Sequence, residues 1–472
     1  MNLSKDIDLP HIRAVGRAAD SLDLPTYIVG GYVRDLFLER HSKDIDFVAV
    51  GDGIALARAV ASASGRNKKV NIFRTYGTAQ IKSHGLELEF VGARKESYTP
   101  ESRNPEVSQG TLDDDLSRRD FTINAMAVSV NASSFGELLD PFNGLVDLHN
   151  RVIRTPLDPD TTFSDDPLRM MRAVRFATQL DFVIEQETLT AIGRNASRIN
   201  IITKERINTE LMKIMASARP SIGWHLLQTT GLLQHIMPEL EALSGVETME
   251  GKGHKDNFAH TLQVLDNVAA RSENVWLRWA ALMHDIAKPA TKHYVPKFGW
   301  TFHNHNFIGE KMVPRIFARM KLPLNENMKY VAKLVGLHMR PQSVGEEGVT
   351  DSAVRRMLFE AGEDSDDLML LAEADITSKN PTKVRRILQN FQMVRARMAE
   401  VEEKDRIRNF QPPIDGYEIM QTFQIEPSNV IGQLKDRIKD AILDGIIPNE
   451  HEAAYNLMLK LAPEYGLVLP SR

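Results

Sequence analysis

The 472-residue chain contains no cysteine. Disulfides and thiolate-built zinc sites are therefore excluded, and the absence fits a reducing compartment. No uninterrupted apolar run is long enough to span a bilayer. The opening stretch, MNLSKDIDLPHIRAVGRAAD, carries early acids and no apolar core, so it does not read as a secretion signal. A cytoplasmic location without a membrane partner is the expectation. A strong positive charge is lacking too. The net charge is −5, so a nucleic-acid partner would have to meet a local basic patch. What is present is ordinary for a globular protein: 42% hydrophobic and 26% charged residues, in a length sufficient for several cores.

Residues 8–22 predict a helix with Ile12, Val15, Ala19 and Leu22 on one face. TYIVGGYVRD then reads as a buried strand, a glycine turn and a helix start, and DFVAV (46–50) and LELEFV (86–91) as further strands. Residues 97–116 are polar and contain Pro100 and Pro105, which predicts a mobile loop. A strand near 125–130 follows, and from about residue 165 the pattern turns helical to the end. The expected fold class is α+β, a small mixed-sheet head followed by an elongated all-α body.

Gly30 and Gly31 sit between a strand and Arg34-Asp35. Glycines let backbone N–H groups approach a triphosphate, and a following helix N-terminus favours anions, although a lone Gly-Gly is most often only a turn. Asp44 and Asp46 alternate along a strand and so share a face. Two adjacent carboxylates are costly unless cations neutralise them. Magnesium takes carboxylate and phosphate oxygens, and two such ions suit a hydroxyl attack on a nucleotide with loss of pyrophosphate. Taken alone, D-x-D is more often a solvated strand end.

In combination, GGYVRD…KDIDF resembles the signature of the polymerase-beta-type nucleotidyltransferases. LELEFVGARKESY looks like the strand bringing a third carboxylate, Glu89. LSRRDFTINAMAV, with Arg118, Arg119, Asp120 and Asn124, resembles the motif contacting sugar and triphosphate. DPFNGLVDLHNRVIR and DDPLRMMRAVRFATQLDF resemble the motif closing the head and the nucleobase-reading helix. From about Tyr27 to Met215 the chain is similar to class II, bacterial-type CCA-adding enzymes and the related poly(A) polymerases. The resemblance implies magnesium in the head, CTP and ATP as substrates and tRNA as partner.

Asp166, Arg169 and Arg172 recur every three residues, which predicts one helical face with Leu168, Met171 and Val174 on the buried side. A salt-bridged surface face is the plain alternative. By the resemblance, Asp166 and Arg169 read the base. Cytosine and adenine each show an amino donor beside a ring-nitrogen acceptor; a carboxylate and an arginine match that order, and guanine and uracil reverse it. In TKERINTELMKIM, Glu205, Arg206 and Glu210 are expected to brace this helix.

Seven of the 14 histidines lie between 254 and 338. The order His260, His284-Asp285, His305, His338, Asp375 resembles the HD phosphohydrolase domain, which a subset of the same family carries. Imidazole and carboxylate ligands suit a transition-type divalent metal that activates water. Residues 410–462 resemble the family's C-terminal helices that hold tRNA, with Lys435, Arg437 and Lys439 either meeting phosphates or lining solvated faces. The expected domains are a head (1–155), a helical neck (156–220), an HD-type domain (221–400) and a C-terminal tRNA-binding tail (401–472). The leading expectation is template-free addition of CCA to tRNA. Rivals are an A-only, CC-only or poly(A)-adding enzyme, an HD phosphohydrolase whose head merely binds nucleotide, and a non-catalytic tRNA-binding module, which intact Asp44 and Asp46 argue against.

Overall fold

A computed structural model describes residues 1–63, 69–73, 77–83, 85–99, 102–249, 252–253, 256–296, 298–346, 348–405 and 413–469. The chain divides into two compact units, Met1–Pro238 and Glu239–Arg472.

The first unit opens with α1 (Pro10–Ser21), which buries Ile12, Val15, Ala18 and Ala19. Leu22, expected on that face, lies beyond the last turn and is exposed. The head elements follow in the order β1 (Thr26–Val29), α2 (Gly31–Phe37), β2 (Asp44–Ala49), α3 (Gly53–Ala63), β3 (Val70–Phe73), β4 (Thr78–Ser83) and β5 (Leu86–Gly92). Next come β6 (Arg94–Thr99), β7 (Ser102–Gln109), α4 (Leu112–Ser117), β8 (Ala127–Ser129), β9 (Leu138–Leu139) and α5 (Gly144–His149). Seven strands form one sheet, in the order β3-β4-β5-β2-β1-β8-β9. The β2–β5 pair is parallel and the others are antiparallel, so the sheet is mixed as expected. Its centre is apolar, with Phe47 of β2 stacked on Phe90 of β5 at 5.2 Å between ring centroids. Helix α3 packs on β4 and β5. A Cβ at Gly53 would lie 2.5 Å from the Val91 carbonyl carbon, so only glycine permits that approach.

The segment expected to be a mobile loop, 97–116, carries regular structure in its described residues. β6 and β7 pair as an antiparallel ribbon, and α4 follows with a capping box on Thr111 and Asp114. Pro105 falls within β7, where a two-stranded ribbon has free edges that tolerate a missing N–H; Pro100 lies outside the described residues.

After the head come α6 (Pro159–Asp165), α7 (Leu168–Leu180), α8 (Gln186–Asn195) and α9 (Lys204–Met215). α7 buries Leu168, Met171 and Val174, the expected apolar side, and packs against α9. A buried ion pair joins the two helices, Arg175 Nε to Glu210 Oε2 at 2.5 Å.

The second unit is predominantly helical. Helices Asn257–Ala269, Val275–Met283, His305–Met320, Glu326–Leu337 and Ser365–Ala374 form its first part, followed by the 25-residue helix Pro381–Asp405. Helices Gly416–Phe423, Asn429–Leu443 and His451–Leu461 close around Ile419, Phe423, Leu434, Ile438 and Met458. Among the described residues, three short strand pairs interrupt the helical pattern after residue 150, at Val152–Ile153 with Val183–Ile184, Thr248–Met249 with Lys252–Gly253, and His293–Val295 with Gly299–Thr301. Among the described residues, no helix is long and apolar enough to cross a membrane.

Candidate functional sites

The parallel register sets Asp46 of β2 beside Glu89 of β5, and Asp44 beside Glu87. Asp44 and Asp46 share a face, as expected of alternate strand residues. The charges act on one another. Burial pushes Asp46 up; Arg119 opposes and Asp44 adds to the shift. Burial also raises Glu89, helped by Asp46 and Asp44. Asp46 and Glu89, each raised by burial and by neighbouring carboxylates, form with Asp44 a donor set fitted to divalent cations, whose charge would relieve that repulsion.

Val29 lies opposite Asp46, so the turn after β1 arrives at these carboxylates. Gly30 has φ 73° and ψ −137°, a conformation nearly confined to glycine. A Cβ there would stand 3.1 Å from Arg119 Nη1 and 3.5 Å from Asp46 Oδ2. Asp115, which is fully buried, holds both neighbouring arginines. It accepts from Arg118 Nη2 at 2.5 Å and from Arg119 Nη2 at 2.9 Å. Those two guanidiniums, with the hydrogen bonds they donate, outweigh burial and keep Asp115 ionised below the usual carboxylate range. Asp120 is likewise held low against burial, by Arg172 and Asn124. Its Oδ2 accepts from Arg172 Nε at 2.6 Å, its Oδ1 accepts from Asn124 Nδ2 at 3.0 Å, and Asn124 Oδ1 accepts from Arg34 Nη1 at 2.9 Å. Asp115, Arg118 and Arg119 thus form one network, which reaches Asp46 through Arg119, and Asp120, Asn124, Arg34 and Arg172 form a second. Asp115 was not anticipated; its place three residues before Arg118 on α4 was the available signal.

Asp166 departs from expectation. It does not lie on the face of α7 but ahead of it, in extended backbone (φ −134°, ψ 97°), where its Oδ1 accepts from Leu168 N at 3.1 Å. Pro167 separates α6 from α7, so the three-residue spacing bends at this point. Asp166 still meets the arginines from the other side. Arg206 of α9 stands 3.6 Å from its Oδ2, and Arg169 N donates to Asp166 O at 2.9 Å. Arg169 Nη2 donates to the Arg118 carbonyl at 2.6 Å, which ties α7 to the segment of arginines. Arg206 and Glu210 hold the Asp166–α7 region as expected, whereas Glu205 is exposed.

In the second unit, four histidines and two aspartates meet. His260 Nε2 is 2.9 Å from Asp375 Oδ1 and 3.5 Å from Asp285 Oδ2. His284 Nε2 is 3.2 Å from Asp285 Oδ2, and His305 Nε2 is 3.3 Å from Asp285 Oδ1. His338 Nε2 lies 3.3 Å from His305 Nε2. Two triads, His260–His284–Asp285 and Asp285–His305–His338, keep their ligand atoms within 4.8 Å of one another. The opposite ring edges are anchored. Nδ1 of His284, His305 and His338 meets the carbonyls of Ala281, Phe302 and Val335 at 2.8 Å each, and Nδ1 of His260 meets Thr377 Oγ1 at 2.8 Å. A carbonyl only accepts, so the first three Nδ1 atoms carry hydrogen and every Nε2 is turned inward. Nε2 of His284 is fully buried and points at the carboxylates, with Asp285 Oδ2 at 3.2 Å and Asp375 Oδ1 at 3.6 Å. These donors fit a divalent metal.

Without a metal, the charges distort strongly. Burial would lower His284, but Asp285 and Asp375 push it up to about 10. Burial and the charged His284 drive His338 down to about 4. Asp285 is held far below its ordinary range against burial, by His284, His305 and Lys288. Lys288, missed from the sequence although it follows Asp285 by one helical turn, has Nζ 2.5 Å from Asp285 Oδ2. In the helix Asn429–Leu443, Arg437 and Lys439 face Glu464 and Asp436 at 3.6 and 2.7 Å, and Lys435 is half-buried.

Comparison with known proteins places the chain further. Residues 26–154 match the poly(A) polymerase head domain, 181–243 the "probable RNA and SrmB- binding site of polymerase A", and 257–380 the HD domain. The A-adding tRNA nucleotidyltransferase of Deinococcus radiodurans is 30% identical over 437 residues, covering 90% of this chain and 93% of its own. The multifunctional CCA protein of Shewanella frigidimarina is 33% identical over 305 residues, 63% of this chain and 70% of its own. A crystal structure of a tRNA nucleotidyltransferase complexed with a primer tRNA and an incoming ATP analogue is similar at TM-score 0.58 and 25% identity, covering 81% of this chain and 98% of that one.

Proposed function

Since this chain belongs to the tRNA nucleotidyltransferase family, we propose that it adds CMP, CMP and AMP to the 3′ end of tRNA without a nucleic-acid template. The observation that carries this reading is the carboxylate set Asp44, Asp46 and Glu89 on adjacent strands, with Arg119, which Asp115 holds, beside Asp46. The enzyme is metal-dependent, and magnesium is the ion matched to carboxylate and triphosphate oxygens. It would be held by Asp44 and Asp46 with Glu89 assisting, and would supply neutralisation of the triphosphate charge.

The tRNA 3′ oxygen bonds to the α-phosphorus of CTP or ATP, the bond to the β-phosphate bridge breaks, and pyrophosphate leaves. Gly30, Gly31, Arg34, Arg118 and Arg119 hold the triphosphate, while Asp120 and Asn124 orient the sugar. Positioning and fixed charges do most of the work in such transfers. Asp166 accepts from the amino group of cytosine or adenine, Arg169 donates to the neighbouring ring nitrogen, and Arg172 steadies the pair through Asp120. In domain terms, residues 1–155 form the catalytic head, 156–220 the neck that reads the base, 221–400 the HD-type domain and 401–472 the tRNA-holding tail. The test is incorporation of labelled CTP or ATP, one at a time, into tRNAs lacking one, two or three terminal nucleotides. Incorporation of both nucleotides at their proper positions supports the reading.

A second reading, addition of the terminal AMP alone, is favoured by the name of the Deinococcus relative. Labelled ATP entering only tRNA that ends in CC would establish it.

The second unit supports a separate activity, phosphoester hydrolysis at the histidine–aspartate cluster. The inward-turned Nε2 atoms and Asp285 are the observation behind it. A transition-type divalent metal held there by His260, His284, Asp285, His305, His338 and Asp375 would supply Lewis acidity. Hydrolysis of a 2′,3′-cyclic phosphate would free the 3′ hydroxyl that the head extends. Metal content and turnover of a cyclic phosphodiester test it together.

A further inference from the structure

From Ile376 to Ala399 the chain runs for 24 residues without an acid, and it carries six cations there: Lys379, Lys383, Arg385, Arg386, Arg395 and Arg397. In a chain of net charge −5, a polyanion needs such a local patch. Two of the six are committed to the fold. Arg395 Nε donates to Glu373 Oε1 at 2.7 Å, and Arg397 Nε donates to Asp351 Oδ1 at 2.5 Å. The other four are exposed, and among the described residues no ion pair or side-chain hydrogen bond engages them. Their backbone is fixed. Asn380 Oδ1 accepts from the N–H groups of Thr382 and Lys383 at 3.0 and 3.1 Å, which starts the helix Pro381–Asp405 at a defined point.

Which partner fits follows from the face left free. The helix buries Phe391, Val394, Met398 and Val401 and packs against the helices Arg340–Glu346 and Asp351–Ala361. A basic helix that lies on a membrane needs a free apolar face; here that face is already packed. The exposed side continues past the arginines with Gln389 and Gln392. Their neutral amides can donate to phosphate and ribose oxygens. Lys383 to Gln392 spans roughly 14 Å of helix, enough to meet more than one phosphate of a strand.

We propose that this face, formed by Lys379, Lys383, Arg385 and Arg386 with Gln389 and Gln392, is a tRNA-binding surface of the second unit. It meets backbone phosphates, so it holds tRNA without reading sequence. The proposal rests on the tRNA reading above only for the identity of the polyanion. It lies ahead of the tail, where Arg437 and Lys439 already face carboxylates.

Filter binding of tRNA lacking CCA to the full chain, across a range of salt concentrations, tests it. The triple variant Lys383→Gln/Arg385→Gln/Arg386→Gln keeps good helix formers in place. Its slope of log affinity against log salt should be shallower by about 2–3, and its affinity at ~0.1 M salt lower by at least about tenfold. KM for tRNA should rise while kcat and KM for CTP stay at wild type, because the carboxylates and the base-reading residues are untouched. The charge-conserving variant Lys383→Arg/Arg385→Lys/Arg386→Lys should keep the wild-type slope. Lys383→Gln alone should lose about 0.7–0.9 of slope, which reads the surface even where circular dichroism shows the triple variant losing helix. An unchanged slope in both neutralised variants overturns the surface. So does binding of phosphatidylglycerol vesicles that the triple variant loses while its tRNA affinity stays at wild type, a result that assigns the face to a membrane. A slope lost on neutralisation, in a wild type that adds no nucleotide to tRNA, keeps the surface and removes the transferase reading.

Discussion

Arg169→Ala should relax the choice of incoming nucleotide more than it weakens RNA binding. In the folded chain the Arg169 guanidinium is half-buried, with Nη2 donating to the Arg118 carbonyl at 2.6 Å. Arg169 N also donates to the Asp166 carbonyl at 2.9 Å, and the Asp166 carboxylate has Arg206 at 3.6 Å. In the proposed base reading, a guanidinium N–H meets the ring-nitrogen acceptor of cytosine. Against uracil it meets an N–H, and two donors face each other unsatisfied. An unsatisfied buried polar group costs about 1–3 kcal/mol. Half-burial puts the arginine's share at the lower end, about 1–2 kcal/mol, which is roughly 5- to 30-fold. Removing Arg169 removes that penalty from the wrong base and the bond from the right one. The ratio of kcat/KM for CTP to that for UTP on tRNA lacking CCA should therefore fall by this factor. Affinity for tRNA, measured by filter binding, should stay close to wild type. An unchanged ratio with collapsed tRNA affinity would show that Arg169 holds RNA and does not read the base.

Asp44→Ala or Asp46→Ala should lower nucleotide addition by about three orders of magnitude or more while circular dichroism stays native, because each change relieves repulsion within the carboxylate set; turnover near wild type would dismiss the metal assignment. Asp285→Asn should strip the divalent metal from the second unit and abolish phosphoester hydrolysis while nucleotide addition continues, since sites without shared ligands behave nearly independently; elemental analysis with both assays decides, and retained metal refutes it. His284 is raised to about 10 from 6.5, so in metal-free protein its pairing with Asp285 and Asp375 is fully stabilising below pH 6.5 and is lost as the pH rises through 10. Metal must displace that proton, so metal affinity should increase with pH across this window, with protons released on binding; calorimetry in buffers of different ionisation enthalpy measures it, and pH-independent affinity contradicts it. Glu210→Ala leaves Arg175 buried without its partner and should destabilise the first unit by about 3–5 kcal/mol, read from urea unfolding; a loss below about 1 kcal/mol would mean that the pair does not fasten α9 to α7.

The two candidate sites lie in separate compact units, each built on its own core. The sequence by itself determined the local elements and the order of the chemistry. Alternation in KDIDF was enough to put Asp44 and Asp46 on one strand face, and the apolar spacing in LRMMRAV predicted which side of α7 is buried. The ordered histidines and aspartates pointed to one metal centre, although 115 residues separate His260 from Asp375.

Tertiary structure decided the rest. Where a loop was expected, β6 and β7 pair with each other before α4 begins, because antiparallel pairing between neighbouring segments satisfies backbone groups without an apolar pattern. Pro167 breaks the helical spacing, so Asp166 reaches Arg206 from outside α7, a placement periodicity cannot express. Asp115 looked like one acid among three, and only its burial beneath Arg118 and Arg119 singles it out. The inward aim of the four histidines depends on carbonyls at Ala281, Phe302 and Val335 and on the hydroxyl of Thr377. Three of those four anchors are backbone atoms, which every residue type carries alike, so their role is fixed by where the chain passes and leaves no mark in the sequence.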